Sequence, residues 1–236
     1  MGTIFIGLSG KSGNGKDAVA RFIIDRFGER TEIVDGEAQI KGYKIIRYAF
    51  ADALKEEVSG KEEELSKKYN LPYEPLNKYR KLLQFYGMLK RNEDSNYWIK
   101  KLAKRIDADK EAKVILVTDV RFKNECYWLL DRGSLKDNET FLIRVNRNGY
   151  LNPDIDQNHP SETELDEFIR GGKVREGEEV FFNYEINCED NNIEELRKDA
   201  IYVFEEIEKE LDVVGSFREN LKQIEAANSK VALGII

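Results

Sequence analysis

Residues 10 to 17, Gly10-Lys11-Ser12-Gly13-Asn14-Gly15-Lys16-Asp17, constrain the fold more than any other stretch of this chain. The apolar run Thr3 to Leu8 before them reads as a buried strand, and Lys16 to Phe27 after them reads as a helix closed by Gly28. The spacing is GxxxxGK, that of loops that cradle phosphate, except that Asp stands at position 17 where Ser or Thr is usual. Glycines let backbone N–H groups curl around an anion, the following helix presents its positive end, and Lys16 adds a point charge. Two other readings exist. One is an ordinary glycine turn between strand and helix. The other is the dinucleotide pattern GxGxxA over Gly13 to Ala18, which makes no use of Lys16. That pattern also wants an acidic residue about 20 positions on, and the next strand pattern, Tyr43 to Phe50, does not supply one.

At 236 residues with 41% hydrophobic side chains, the chain can bury a real core. Its 38 basic and 45 acidic residues leave a net charge of −7, which argues against a basic surface for unspecific DNA or RNA binding and favours small-molecule partners. Cys126 and Cys188 lack any CxxC pattern and read as reduced thiols. No run of 18 apolar residues suggests a membrane span, and Met1 to Leu8 is too short for a secretory core, so the expected location is the cytoplasm, or the host cytoplasm for a viral chain. With His159 as the sole histidine, a zinc site or a nucleophilic triad would have to be built around one residue. Between Asn158 and Pro160 it reads as a surface loop residue outside the chemistry.

Strand patterns recur at Thr3 to Leu8, Tyr43 to Phe50, Lys113 to Thr118, Thr140 to Val145 and Val180 to Ile186, with helical patterns between them. This alternation predicts an α/β fold: a five-stranded parallel sheet flanked by helices in three layers, one domain over 1–236. The crossover over about 52–112 carries its own helices around Asp52 to Val58, Leu76 to Met88 and Asn96 to Ile106, so it reads as an insertion that covers a second substrate or enlarges the core. The charge run Lys61 to Lys68 reads as a solvated helix face or mobile loop. A polar stretch at about 146–179, with a helical pattern near Glu162 to Ile169, reads as a lid or a plain surface loop. Ile193 to Leu211 reads as a final amphipathic helix, and the tail at about 212–236 has no assigned role beyond an added strand or partner contact at Val231 to Ile236.

Several further segments, taken with the glycine loop, resemble the phage-type deoxynucleoside monophosphate kinases, a branch of the P-loop nucleoside monophosphate kinase superfamily. They are Tyr48-Ala49-Phe50-Ala51-Asp52-Ala53-Leu54-Lys55, Arg80 to Gly87, Tyr97-Trp98-Ile99, Thr118 to Glu125, and His159-Pro160-Ser161-Glu162. In these kinases position 17 looks similar. Dephospho-coenzyme A kinases share the layout, with a poorer match. The resemblance implies a three-layer P-loop kinase fold with a helical acceptor-binding insertion and a lid. It also implies transfer of the γ-phosphoryl group of ATP to a deoxynucleoside 5'-monophosphate, with Mg2+ and without a histidine base.

On that resemblance Gly10, Ser12, Gly13, Asn14, Gly15, Lys16 and Asp17 bind the donor, with Asp17 and Asp119 near magnesium. Asp17 otherwise serves the helix dipole, and Asp119 otherwise caps a turn. Arg121 pairs with Asp119 or faces a phosphate, as one of the catalytic set Lys16, Asp119, Arg121 and Arg147, the last as a lid arginine with Arg144 in the preceding strand. Asp52 and Lys55 stand beside the acceptor, with a helix N-cap as the other reading of Asp52. Arg80 and Gln84, four apart on one helix face, together with Arg91, read as acceptor contacts or as a solvated face. Tyr97 and Trp98 read as core residues, with base-stacking platforms as the other reading, and Trp98 is placed in the core. Partners are nucleotides, with a homodimer left open, and a non-catalytic nucleotide sensor stands as the alternative because Asp17 departs from the usual hydroxyl.

Overall fold

A computed structural model of the chain describes residues 2–34, 37–73, 75, 79–109, 111–135, 138–153, 155–166, 169–170 and 180–232. Strand β1 (Ile4–Ser9) is buried at every position, so it needs apolar cover on both faces. Helix α1 (Lys16–Phe27) supplies part of it, with Val19, Ala20, Ile23 and Phe27 buried at helical spacing. An antiparallel hairpin follows, β2 (Arg30–Val34) and β3 (Glu37–Lys41), and then β4 (Ile45–Tyr48). Next come α2 (Phe50–Val58), α3 (Glu62–Lys68), α4 (Arg80–Glu93) and α5 (Tyr97–Ala108). Strand β5 (Val114–Val120), α6 (Lys123–Gly133) and β6 (Glu139–Asn148) lead to one turn of helix, α7 (Pro160–Thr163). A short parallel pair, β7 (Ile169–Arg170) and β8 (Val180–Phe182), precedes β9 (Tyr184–Glu189) and the long α8 (Ile193–Ala232).

The main sheet has five strands, all parallel, in the order β4-β5-β1-β6-β9. On one face, α1 and α8 cover Ile4, Ile6 and Leu8, and the rings of Phe27 and Phe204 meet at 4.3 Å between centroids. On the other, Phe50, Trp98, Leu102 and Leu129 cover Phe5, Ile115 and Val117. From β1 the chain goes to β4 and β5 on one side, then to β6 and β9 on the other. In open parallel sheets such a reversal leaves a crevice beyond the carboxyl ends of the strands, and the glycine loop occupies that end of β1.

Several element boundaries differ from the expectations. The hairpin β2–β3 was not anticipated. The second strand stops at Tyr48, because Phe50 and Ala51 donate their N–H groups to Asp119 and start α2. Helix α4 starts at Arg80, after Tyr79 at φ 53°, and runs on to Glu93; the expected start at Leu76 lies outside the described residues. The charge run forms α3, which buries Leu65 and Ser66. Strand β6 extends to Asn148 and therefore contains Arg147. The single strand expected at Val180 to Ile186 divides at Asn183, whose N–H donates to Leu142 O at 2.8 Å and whose Oδ1 accepts from Leu142 N at 2.7 Å. In the polar stretch, the helix is confined to Pro160–Thr163, and Gly171, Gly172 and Gly177 lie outside the described residues. Helix α8 runs for 40 residues, through most of the unassigned tail, so Val231 and Ala232 are helical and residues 233–236 lie outside the described part. Among the described residues no helix is long and apolar enough to cross a membrane.

The insertion does two things at once. Trp98 and Leu102 enlarge the main core, while Val58, Leu65 and Leu82 form a small cluster of their own that holds α2, α3 and α4 together.

Gly7 of β1 is closely packed: an added Cβ would stand 2.6 Å from Leu142 Cδ2 and 2.8 Å from Leu129 Cδ1. Gly7→Ala is expected to destabilise the fold by about 1–3 kcal/mol through overpacking. Equilibrium urea unfolding measures this, and an unchanged midpoint would contradict the packing of α6 on β1.

Candidate functional site

The glycine loop has the backbone its sequence requires. Gly10, Gly13 and Gly15 adopt φ of 143°, 84° and 89°. A Cβ at Gly10 would stand 2.2 Å from Val145 O, and one at Gly13 would stand 2.3 Å from Cε1 of Tyr150. Asn14 is buried and braces the loop, its Nδ2 donating to Val145 O at 3.0 Å. Lys16 folds back over the loop and donates from Nζ to Gly10 O at 2.7 Å and Lys11 O at 2.8 Å. Burial first, and then the charge of Arg121, holds this ammonium well below the usual lysine range, against the pull of Glu162, Asp119 and Asp17.

One cleft of about 770 Å³ opens from this loop. The loop contributes Ser12, Gly13, Lys16 and Asp17 to its wall, and the end of β5 contributes Asp119 and Arg121. Lys55 from α2 and Arg80, Gln84 and Arg91 from α4 line the remainder. Residues separated by up to about a hundred positions thus converge because β1 and β5 are neighbours and α2 and α4 pack over their ends. The far part is partly apolar, with Leu54, Val58, Leu83 and Met88. Among the described residues, buried Gln84 Nε2 and Thr118 Oγ1 carry no hydrogen bond, and both side chains belong to this wall. A concave, partly apolar pocket with a few converging polar groups is the usual form of a small-molecule site.

The acidic groups are divided among separate tasks. Both oxygens of Asp119 accept at 2.8 Å, from the N–H groups of Phe50 and Ala51. Asp119 therefore caps α2, and Asp52, inside the helix, does not: it pairs with Arg47 at 3.2 Å beside the cleft. Burial pushes the Asp119 carboxyl up, opposed by those two N–H groups and by Arg121. Asp17 is exposed and lies 3.2 Å from Arg47. Among the described residues no three His, Cys, Asp or Glu side chains converge as a metal cage. Magnesium usually takes only one or two carboxylates and completes its shell with phosphate oxygens and water. Asp17 and Asp119, both in the cleft wall, offer hard carboxylate oxygens of that kind.

Two of the expected arginines are engaged elsewhere. Arg147, within β6, sits behind the loop, where it donates to Gly13 O at 3.1 Å, pairs with Asp190 and lies 4.1 Å from the ring centroid of Tyr150. It braces the loop from outside and does not line the cleft. Arg91 lines the cleft, but its guanidinium pairs with Glu125 and stacks 3.7 Å over the ring of Phe122. Glu125, fully buried, also accepts from Arg121 N at 2.7 Å and Phe122 N at 3.1 Å. Burial pushes its carboxyl up to about 7, against the pull of Arg91.

Sequence reasoning missed Arg47, Thr118, Glu125 and Glu162 as parts of this wall. Glu125 and Glu162 stand in segments that the resemblance singled out, but no spacing rule links position 162 to the loop. His159, expected as a surface loop residue, instead lines the cleft: its Nδ1 accepts from Ser161 N at 3.2 Å and caps α7, and burial lowers its pKa. Compared with models of known protein families the chain matches none, and a search of curated proteins likewise gives no match.

Arg91→Ala is expected to cost about 3–5 kcal/mol at pH 8, because it leaves the buried Glu125 charge without its partner. The folded-state pKa of Glu125 then lies further above its unfolded value, so stability is retained below the unfolded pKa and is lost as pH rises through the folded one. Urea unfolding should therefore show a smaller loss at pH 6 than at pH 8, and an equal loss at both would contradict a charged pair.

Proposed function

We propose that the chain transfers the γ-phosphoryl group of ATP to a deoxynucleoside 5'-monophosphate, yielding ADP and the corresponding diphosphate. In this reading residues 10–17 are a P-loop, the fold is the three-layer P-loop kinase fold, and the helices of 52–112 form the acceptor side. The observation that carries it is one continuous cleft lined both by the glycine loop and by Arg80 and Gln84 of α4.

The backbone of Gly13 to Lys16 and the Lys16 ammonium hold the donor phosphates at the start of α1, where the helix end favours anions. The Lys16 tether to Gly10 O and Lys11 O keeps that charge over the loop. Asp17 and Asp119 would hold magnesium, which neutralises phosphate charge when bound. Arg80 and Lys55 meet the acceptor phosphate, and Gln84 faces its base. Arg121 lines the same cleft and is suited to charge on the transferring group. The acceptor is already anionic, so in-line positioning and charge neutralisation suffice without a general base.

A nucleotide sensor without transfer has one observation in its favour, the contact of Asp17 with Arg47 instead of with a group in the loop. A coupled ADP-release assay with each deoxynucleoside monophosphate separates the readings. Acceptor-dependent ADP is expected, lowered about 100-fold or more by Lys16→Ala. Arg80→Ala is expected to raise the acceptor KM by about 10- to 100-fold, as loss of a charge-assisted hydrogen bond. Absence of acceptor-dependent ADP would favour the sensor, and turnover with dephospho-coenzyme A alone would move the acceptor to another class.

A further inference from the structure

Glu162 belongs to α7 in sequence and to the cleft in space. Its side chain is only 3% exposed. Oε2 accepts from Ser12 N at 2.7 Å, across 150 positions of sequence. Oε1 accepts from Arg121 Nη1 at 2.6 Å and from Ser161 Oγ at 3.3 Å. The same Nη1 donates to Ser161 O at 3.0 Å. Among the described residues the other guanidinium donors of Arg121 carry no hydrogen bond, and the residue lines the cleft.

The bracket that carries Glu162 is tied down on several sides. Asp166 bridges Lys11 at 2.7 Å and Arg144 at 2.6 Å, Glu164 accepts from Lys123 N at 2.8 Å, and Asn152 donates to Ser12 Oγ at 3.2 Å. We propose that Glu162 is a positioning residue: its carboxylate links the glycine loop to Arg121 and sets their separation, so that both meet the same terminal phosphate. This rests on the kinase reading for the identity of that phosphate.

The chemistry requires a carboxylate. Both partners are donors, so an amide at position 162 offers one acceptor oxygen and sets an NH2 group against the other donor. A charge at this position also costs affinity, because it lies near Lys16 and faces the incoming phosphate. A group present only to balance charge could be replaced by Gln with tighter nucleotide binding. A group that sets geometry could not, because an arginine held on one side by two acceptors would lose its aim.

The test is a double-mutant cycle of Glu162→Gln, Arg121→Gln and both, reading Mg-ATP affinity by calorimetry and kcat by ADP release. Glu162→Gln is expected to lower kcat about 10- to 100-fold with much less change in ATP affinity. In the Arg121→Gln background it should add little, giving a coupling of about fivefold or more. Effects that multiply independently would overturn the proposal. So would a Glu162→Gln protein that binds ATP more tightly at unchanged kcat, since Glu162 would then be a competitor of phosphate. If Glu162→Gln does not fold, Glu162→Asp, which keeps the charge but is too short to span both partners, takes its place in the cycle with the same expected coupling. A wild-type protein without acceptor-dependent turnover would refute the kinase reading alone. In that case the same cycle read in acceptor-independent ADP release decides the positioning role, with coupling supporting it and additivity, or no ADP release at all, overturning it. A wild-type protein that binds no ATP would overturn both.

Discussion

The joint between β5 and α2 rests on one carboxylate. A helix start leaves several N–H groups without intrahelical partners, and Ala49 at the N-cap of α2 has no side chain to offer them. Asp119, arriving from the end of the neighbouring strand, accepts from two of them at 2.8 Å. That contact ends β4 at Tyr48, sets the origin of α2, and so places the helical wall that faces the glycine loop. Magnesium binding by Asp119 in the proposed reaction would use the lone pair that each oxygen retains, so a structural and a functional duty converge on the same group.

Around that joint the cleft is cationic in detail yet restrained overall. Arg91 is paired with Glu125, Arg47 with Asp17 and Asp52, and Arg121 with Glu162. Each carboxylate fixes a guanidinium while part of its field is neutralised. In the proposed reaction, charges preorganised in this way would act on a phosphate without having to reorganise when it arrives. Glu125 and Glu162 are nearly inaccessible, which makes their hydrogen bonds costly to leave unmade and therefore well defined.

Much of the frame was legible in the sequence because its signals are local. The buried run of β1, the glycines and the helical repeat of α1 each follow from neighbours within a few residues. The hairpin β2–β3 was overlooked although Asp35-Gly36 between two short runs is a strong turn signal; frequent charges in both runs hid their alternation. The break at Asn183 had no such signal, since an amide replacing ladder bonds to Leu142 becomes visible only when β6 lies beside it. The same holds for Arg147, an exposed-looking cation in a polar stretch whose partners, Gly13 O and Asp190, lie on other elements.

From the sequence alone came the alternation of strands and helices, the parallel α/β class, the loop at residues 10–17 and the charged residues Lys16, Asp17, Lys55, Arg80, Arg91, Asp119 and Arg121 of the cleft wall. Those depend on periodicity, on the conformational freedom of glycine and on short-range spacing, all of which are written along the chain. Only the tertiary structure decided which carboxylate serves which partner: Asp119 for α2, Glu125 for Arg91, and Glu162 for Ser12 and Arg121. Hydrogen bonds across distances of up to 150 positions are set by the packing of the sheet and its helices, and no local rule contains them.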